Sequence, residues 1–148
     1  MSAFKGTDFE IALPAEYSDE STYAFAFPTR GNFRPSLVVK SERLAEPSEL
    51  SVYVEKQLEK LKQLLPSVTI ISKAASKQGE APAFTCVYDW GEATQRVRQK
   101  QRYLLLAHPW RVVTLTGTTS QQTFPEVEAL FDAIFNSFKR LDAPRAEP

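Results

Sequence analysis

The chain has 148 residues, of which 43% are hydrophobic and 11% aromatic, and its 18 basic residues balance its 18 acidic residues. This composition is typical of a globular chain and argues against disorder. The neutral net charge gives no indication of nucleic acid or an anionic membrane as a partner. The length favours one domain, which we place at residues 1–141 and follow with a frayed tail at 142–148.

The N-terminal segment shows no targeting signal. Residues 1–8 lack an apolar stretch, a small-residue cleavage site and a cysteine for lipid attachment. No apolar run approaches the roughly 20 residues that span a bilayer. Cys86 is the only cysteine, which excludes an internal disulfide and favours a reducing compartment. We expect a cytoplasmic protein that does not insert into membranes.

Alternating side chains predict strands in the first third of the chain. The predicted strands cover residues 9–13, 21–27 and 36–41. In the second of them, rings alternate with small side chains, namely Tyr23, Phe25 and Phe27 with Thr22, Ala24 and Ala26. We expect the rings to face the core and the small side chains to line a face that a bulky partner can approach closely.

A first helix is predicted over residues 49–65, with Ser48 as its N-cap and Pro66 after its end. Its apolar residues recur at spacings of three and four and form one stripe: Leu50, Val54, Leu58, Leu61 and Leu65. At about 100° per residue, Gln57 falls inside this stripe. An amide therefore stands where a hydrophobic side chain is expected.

Four antiparallel strands and a second helix are predicted after the first helix. The strands cover residues 68–76, 83–90, 94–107 and 111–118. A hairpin turn is expected at Gly91, and another turn at His108–Pro109. The last helix begins at Thr123, whose spacing from Glu126 is that of a capping box. Its apolar face comprises Val127, Leu130, Phe131, Ile134, Phe135 and Phe138. This order of elements indicates an α+β fold.

The residues present no catalytic constellation. A nucleophile needs a base and an orienting partner, and no motif surrounds the single cysteine or the single histidine, His108. Cys86 alternates along its strand with large aromatic residues: Phe84, Tyr88 and Trp90. This pattern is typical of a core cysteine. The scattered carboxylates form no acid–base pair. We expect no catalytic residue, no metal site, no cofactor and no enzymatic activity.

The predicted strand at 94–107 carries a different pattern on each face. One face is basic and comprises Arg96, Arg98, Lys100 and Arg102. Such a ladder can hold phosphates or an acidic partner, but the neutral chain favours a merely solvated face. The other face places Gln99 and Gln101 among apolar residues. These amides, like Gln57, are either exposed or satisfied within the fold, or they line an apolar surface that hydrogen-bonds a guest.

Several segments, taken in order, carry a family resemblance. They are FEIALP at 9–14, DESTYAF at 19–25, YVEKQL at 53–58, and YDW at 88–90 followed by RQKQ at 98–101. The chain resembles the DcrB-related proteins over about residues 9–141, and within them the Eag-type chaperones of bacterial type VI secretion effectors. Periplasmic DcrB-like lipoproteins share the fold, but the sequence shows neither their signal nor their lipidated cysteine, which favours the cytoplasmic chaperones.

The resemblance implies a PsbP-like α+β fold, with a curved antiparallel sheet flanked by helices, assembled as a homodimer. It implies a chaperone that binds the N-terminal transmembrane helices of an effector, such as an Rhs or PAAR-domain toxin, until loading on the secretion machinery. Carried over by position, the site comprises Thr22, Ala24, Val38, Gln57 and Gln101. Small residues let a guest helix lie close to the sheet, and the amides supply hydrogen bonds like those between membrane helices.

The sequence also departs from the family pattern. Thr22 and Ala24 stand where larger branched residues occur, which predicts a different guest preference. The alternative function is a non-catalytic assembly module that binds a folded partner through the basic strand face. In either case the partner is a protein.

Overall fold

The computed structural model describes residues 1–16, 20–107 and 110–141. Its elements, in chain order, are β1 (Ser2–Lys5), β2 (Glu10–Leu13), β3 (Thr22–Ala26), β4 (Ser36–Arg43), α1 (Leu50–Leu64), β5 (Thr69–Gln78), β6 (Ala81–Trp90), β7 (Val97–Leu106), β8 (Arg111–Ser120) and α2 (Phe124–Ser137). The expected turn at His108–Pro109 and the expected tail at 142–148 lie outside the described residues.

The strands form two antiparallel sheets. β1 and β2 make a separate hairpin, and the other strands form a six-stranded sheet in the order β3-β4-β8-β7-β6-β5. The large sheet is curved and carries a helix on each face. The α+β fold with a curved antiparallel sheet and flanking helices, expected from the sequence, is therefore confirmed.

Each helix packs on its own hydrophobic core. α1 lies over β6 and β7, where Leu105 belongs to its core. α2 lies over β7 and β8, where Leu104 belongs to the other core. Neighbouring residues of a strand point to opposite faces, so a continuous apolar run such as Leu104–Leu106 supplies both cores.

The helix stripes are confirmed, but their N-terminal caps differ from expectation. Leu50, Val54 and Leu58 are buried in α1, which begins after Glu49 rather than after Ser48. The N-cap of α2 is Thr123, but its side chain makes no capping hydrogen bond. In α2 the fully buried residues are Val127, Phe131 and Phe135, whereas Leu130 is 39% exposed. The apolar face is thus narrower than the sequence suggests.

The hydroxyl of Thr123 hydrogen-bonds to the end of the preceding strand instead of forming a capping box. Its Oγ1 lies 2.5 Å from Thr119 Oγ1 and 2.8 Å from Ser120 Oγ. These contacts anchor the start of α2 to the end of β8. The helix entry is therefore fixed by tertiary contacts rather than by a local cap.

The rings of Tyr23 and Phe25 on β3 were expected to face the core, and this expectation was wrong. Tyr23 is 58% exposed and Phe25 50% exposed, whereas Phe27 packs partly against the α2 core. β3 is the edge strand, and α2 lies over β7 and β8, so this helix does not cover the outer rings. The rings do lie on the opposite face from Ala24, since their partner residues on β4 alternate in the same way.

Two further elements differ from expectation. β1 was not expected, and its hairpin with β2 closes through a hydrogen bond from the Gly6 N–H to the Phe9 carbonyl, at 2.9 Å. β7 begins at Val97 rather than at Thr94. Arg96 accounts for this difference, because its Nη1 donates to the carbonyls of Gly91 at 2.7 Å and Ser67 at 2.8 Å and so holds the connection from β6.

Candidate binding surface

Cross-strand register brings most of the site residues carried over from the resemblance to one face of the sheet. Ala24 pairs with Val38, Val38 with Thr116, and Thr116 with Gln101. Residues directly opposite each other share a face, so these four form one row across four strands. Thr22 stands two residues from Ala24 and shares that face.

The same row continues beneath α1. Gln101 pairs with Cys86, which is fully buried and packs in the core that α1 covers. α1 therefore covers one half of this face, over β6 and β7. The other half, on β3, β4 and β8 beside α1, carries no described helix. We call this half the open face; its outward residues include Thr22, Ala24, Val38, Thr116 and Thr118.

Gln57 lies on the side of α1 that borders the open face. One turn earlier, Tyr53 donates a 2.7 Å hydrogen bond to Glu42 Oε1 of β4, and side chains four residues apart share a helix face. Burial and this bond to Glu42 hold the pKa of the Tyr53 hydroxyl above its usual range. Gln57 is half-buried and makes no hydrogen bond with the described residues. Its amide is thus available at the border of the face.

The glutamines of β7 each accept one hydrogen bond and donate one within the fold. Gln101 is only 8% exposed, accepts a 2.7 Å hydrogen bond from the Tyr103 hydroxyl and donates to Thr116 Oγ1 at 3.1 Å. Gln99 accepts from Trp90 Nε1 at 3.1 Å and donates to Thr118 Oγ1 at 2.8 Å. Of the alternatives that the sequence left open, the structure supports internal hydrogen bonding at these two positions.

Thr116 and Thr118 are the residues of the open face that the sequence analysis did not select. Their strand is rich in hydroxyls at alternate positions, which is a signal, but a single sequence does not give the register that sets them opposite Gln101 and Gln99. Both threonines are half-buried. They place hydroxyl groups between the glutamines and the small residues of the edge.

Arg96 and the three basic residues of β7 do not form a solvated face, and this expectation was wrong. Arg98 makes a two-point ion pair with Asp89, at 2.6 and 2.9 Å, and its guanidinium lies 5.3 Å from the centre of the Phe124 ring. Lys100 pairs with Glu128 at 2.9 Å and Asp132 at 2.6 Å. α2 thus covers these cations and neutralises them.

The remaining basic residues are also engaged. Arg102 donates to Gln78 Oε1 at 3.0 Å and to Asn136 Oδ1 at 2.6 Å, and its guanidinium lies over the Phe135 ring. Arg96 is bonded to main-chain carbonyls. The alternative function, binding of a folded partner through this basic strand face, therefore lacks a free surface.

A cavity of about 590 Å³ opens elsewhere, at the end of the sheet near the C-terminal end of α2. Leu104, Leu106, Trp110 and Phe138 are among its lining residues, and none of the five predicted site residues is. Within residues 1–16, 20–107 and 110–141, no group of His, Cys, Asp and Glu side chains is placed to hold a metal ion. None of the helices in these ranges has the length and apolarity to cross a membrane.

Cys86 is a core residue, as the sequence predicted. Burial raises the pKa of its thiol to about 12, and the nearby Glu55 carboxylate adds to the rise. We expect the native thiol to react with a disulfide reagent at pH 8 at least ~100-fold more slowly than in urea, because the thiolate is the reactive form. An added exposed cysteine, Ser76→Cys, is the control and should react at once. Equal rates for Cys86 in native and unfolded protein would contradict this burial.

The chain has a PsbP-like fold. CyanoP, the cyanobacterial PsbP of Synechocystis sp. PCC 6803, superposes with a TM-score of 0.59 at 11% identity, over 88% of this chain and 98% of its own. Protein PA94 of Pseudomonas aeruginosa, of unknown function and suggested to be a regulator, gives a TM-score of 0.77 at 19% identity, over 97% and 99%. At these identities the likeness shows the fold alone.

LpqN of Mycobacterium tuberculosis, which is involved in cell envelope biogenesis, has the same fold, with a TM-score of 0.57 at 11% identity over 83% of this chain and 85% of its own. No curated protein sequence matches the chain. The DcrB family model matches residues 9–137, and the chain therefore belongs to the DcrB family. The family part of the resemblance is thus confirmed.

Proposed function

We propose that this chain is a non-catalytic, cytoplasmic chaperone for a type VI secretion effector of the Rhs or PAAR-domain type. It binds the effector's N-terminal transmembrane helices and holds them in solution until loading and export. The observation that carries the proposal is the open face beside α1. There the register collects Thr22, Ala24 and Val38, with Gln57 and Gln101 along the border with α1.

The dimensions of the sheet suit a second helix on this face. Strands lie about 4.8 Å apart, so six strands are about 24 Å wide between the outermost two. Packed helices lie about 8–10 Å apart, so this width holds two helices side by side. α1 occupies the position over β6 and β7, and the second position falls on β3, β4 and β8.

The residues of the open face favour an apolar helix there. Thr22 and Ala24 are exposed and small, so a helix can lie close to the strands, as it does where small residues meet between membrane helices. Each 100 Å² of apolar helix surface that is covered contributes about 2.5 kcal/mol. Burial of the guest is therefore strongly favourable in water, and neither a cofactor nor ATP is required for capture.

One sheet face covers only one side of a guest helix. In the dimer that the family resemblance implies, a second copy covers part of the other side and encloses more apolar surface. Release then follows from handover of the helix to a further partner or to lipid, where its apolar surface is again covered.

Co-purification with an effector fragment tests the proposal. Wild-type chaperone should capture the fragment that carries its apolar helices and not a fragment from which they are deleted. Ala24→Arg should weaken capture about tenfold or more, because a long charged side chain then occupies the open face. Gln57→Ala should weaken it less, because one hydrogen bond is lost.

Each variant has a matched control, on the same sheet face for Ala24→Arg and on the same helix for Gln57→Ala. Ala75 is exposed on the other edge strand, and its partner Phe84 packs under α1, so Ala75→Arg adds the same side chain to the same face but away from the open half. Gln63 is exposed on α1, and Gln63→Ala controls for Gln57→Ala. Capture that does not depend on the helices, or equal loss in Ala24→Arg and Ala75→Arg, would contradict the proposal.

A further inference from the structure

Two parallel hydrogen-bond chains underlie the polar part of the open face. In the first, Trp90 Nε1 donates to Gln99 Oε1 at 3.1 Å, and Gln99 Nε2 donates to Thr118 Oγ1 at 2.8 Å. An indole N–H can only donate, so the amide of Gln99 must turn its oxygen toward Trp90 and its nitrogen toward Thr118. The direction of this chain is therefore fixed.

The second chain runs the same way one row along the sheet. The Tyr103 hydroxyl donates to Gln101 Oε1 at 2.7 Å, and Gln101 Nε2 donates to Thr116 Oγ1 at 3.1 Å. Tyr103 is only 2% exposed, and a reversed amide would leave its hydroxyl hydrogen buried without an acceptor. Both chains thus run from an aromatic donor, buried at Tyr103 and half-buried at Trp90, to a threonine on the open face.

Because both chains run in this direction, hydrogen-bond donors without acceptors remain at the open face. The side-chain oxygens of Gln99, Gln101, Thr116 and Thr118 each accept one hydrogen bond already. Each of the four side chains also keeps one donor hydrogen, on a hydroxyl or on the second amide N–H, for which the described residues provide no acceptor. Covering the face with a dry guest leaves these donors unpaired, which costs more than leaving an oxygen with a single bond.

We infer that the open face selects apolar helices that present a free carbonyl oxygen to Thr116 and Thr118, and that these two threonines determine guest specificity. Such carbonyls occur where a helix is broken by proline or at its C-terminal turn. A guest that offers only a donor, such as an indole, can use the remaining lone pair of a threonine oxygen but leaves the hydroxyl hydrogens unpaired, so it is not preferred. The inference rests on the proposed function and adds the hydrogen-bonding chemistry of the guest.

Three synthetic guests test the selection in mild detergent. Each is a roughly 20-residue Leu/Ala helix with flanking lysines. The three peptides differ in their central residue, which is leucine, proline or tryptophan. Proline frees a carbonyl and adds no donor, whereas tryptophan adds a donor. Competition against a labelled copy of the leucine peptide gives the affinities. We expect wild type to prefer the proline peptide about tenfold over the leucine peptide and also to prefer it over the tryptophan peptide, which adds a donor but no acceptor.

The double variant Thr116→Val, Thr118→Val keeps shape and strand preference but removes both hydroxyls. It should lose the preference for proline, so that the proline and leucine peptides compete equally well. The variant Thr116→Ser, Thr118→Ser keeps the hydroxyls and should keep the preference, and unfolding curves establish that both variants are folded. A preference that survives in the valine variant, or no preference in wild type, would overturn the inference alone. Failure of wild type to bind all three peptides would overturn the proposed function as well.

Discussion

Replacement of Asp89 by alanine is expected to lower the free energy of unfolding by about 3–5 kcal/mol. The Asp89 side chain is 4% exposed and accepts hydrogen bonds from Arg98 and from Gln121 Nε2, the latter at 2.9 Å. Without the carboxylate, the Arg98 guanidinium stays between the sheet and α2 without its counter-charge. Urea unfolding of both proteins measures the difference.

Two further variants test whether the loss comes from the unpaired buried charge. Loss of Glu59, whose ion pair with Lys62 is exposed, should cost less than about 1 kcal/mol. The double variant Asp89→Leu, Arg98→Met should recover much of the loss, since it removes both charges. An Asp89→Ala variant no less stable than Glu59→Ala would contradict the account.

The hydrogen bond from Arg98 holds the pKa of Asp89 below its usual value, so the native state favours the carboxylate. Its contribution to stability is therefore fully present above the unfolded-state pKa of about 3.9 and is lost as the pH falls through the lower native pKa. The stability gap between wild type and Asp89→Asn should stay constant above about pH 5 and shrink in acid.

Replacement of Gly117 by alanine is expected to destabilise the fold by about 3 kcal/mol, at the upper end for overpacking. A methyl group at this position would stand 2.7 Å from carbon atoms of the Phe131 ring. Phe131 is fully buried and stacks on Phe135, with 6.4 Å between ring centroids, so it has little room to move. α2 must shift outward from β8 to make space.

A double-mutant cycle tests this cause. Phe131→Leu alone leaves a smaller side chain under α2, and Gly117→Ala should cost much less in that background than in wild type, because the clash is with the ring. Equal costs in both backgrounds, or a change below about 0.5 kcal/mol for Gly117→Ala alone, would show that the contact does not constrain the packing of α2.

The two faces of the sheet differ in a way that bears on function. On one face, α2 is held by the ion pairs of Lys100 with Glu128 and Asp132, by the contact of Arg98 with the Phe124 ring and by the close contact at Gly117. On the other face, α1 leaves half of the sheet uncovered. The basic residues that suggested a binding surface in the sequence therefore hold a helix in place, and the small residues on the opposite face remain available to a partner.

Periodicity within single elements made much of the fold predictable. The apolar stripe of α1 and the alternation in β6 and β7 follow from side-chain geometry alone, so they are visible in the sequence. Alternation does not say which face another element covers. Tyr23 and Phe25 alternate as core residues do, yet α2 lies over β7 and β8 and leaves them exposed.

Contacts between elements that are distant in the chain could not be predicted from the sequence. Lys100 is neutralised by Glu128 and Asp132. These carboxylates stand about 30 residues further along the chain, and no pattern within β7 reveals them. Thr116 and Thr118 went unselected for the same reason, since their pairing with Gln101 and Gln99 depends on strand register. Of the residues carried over from the resemblance, Thr22, Ala24, Val38 and Gln101 share one sheet face and Gln57 borders it on α1.

Alanine methyl groups give the most direct test that an apolar helix occupies the open face. Ala24 and Ala26 lie on this face at the β3 edge, and Ala74 and Ala75 lie on the opposite edge strand. Methyl NMR spectra of the chain would be recorded with and without an apolar helix from an effector N-terminus. The account predicts large shifts for Ala24 and Ala26 and none for Ala74 and Ala75. Shifts confined to β5, or no change on addition of the helix, would contradict it.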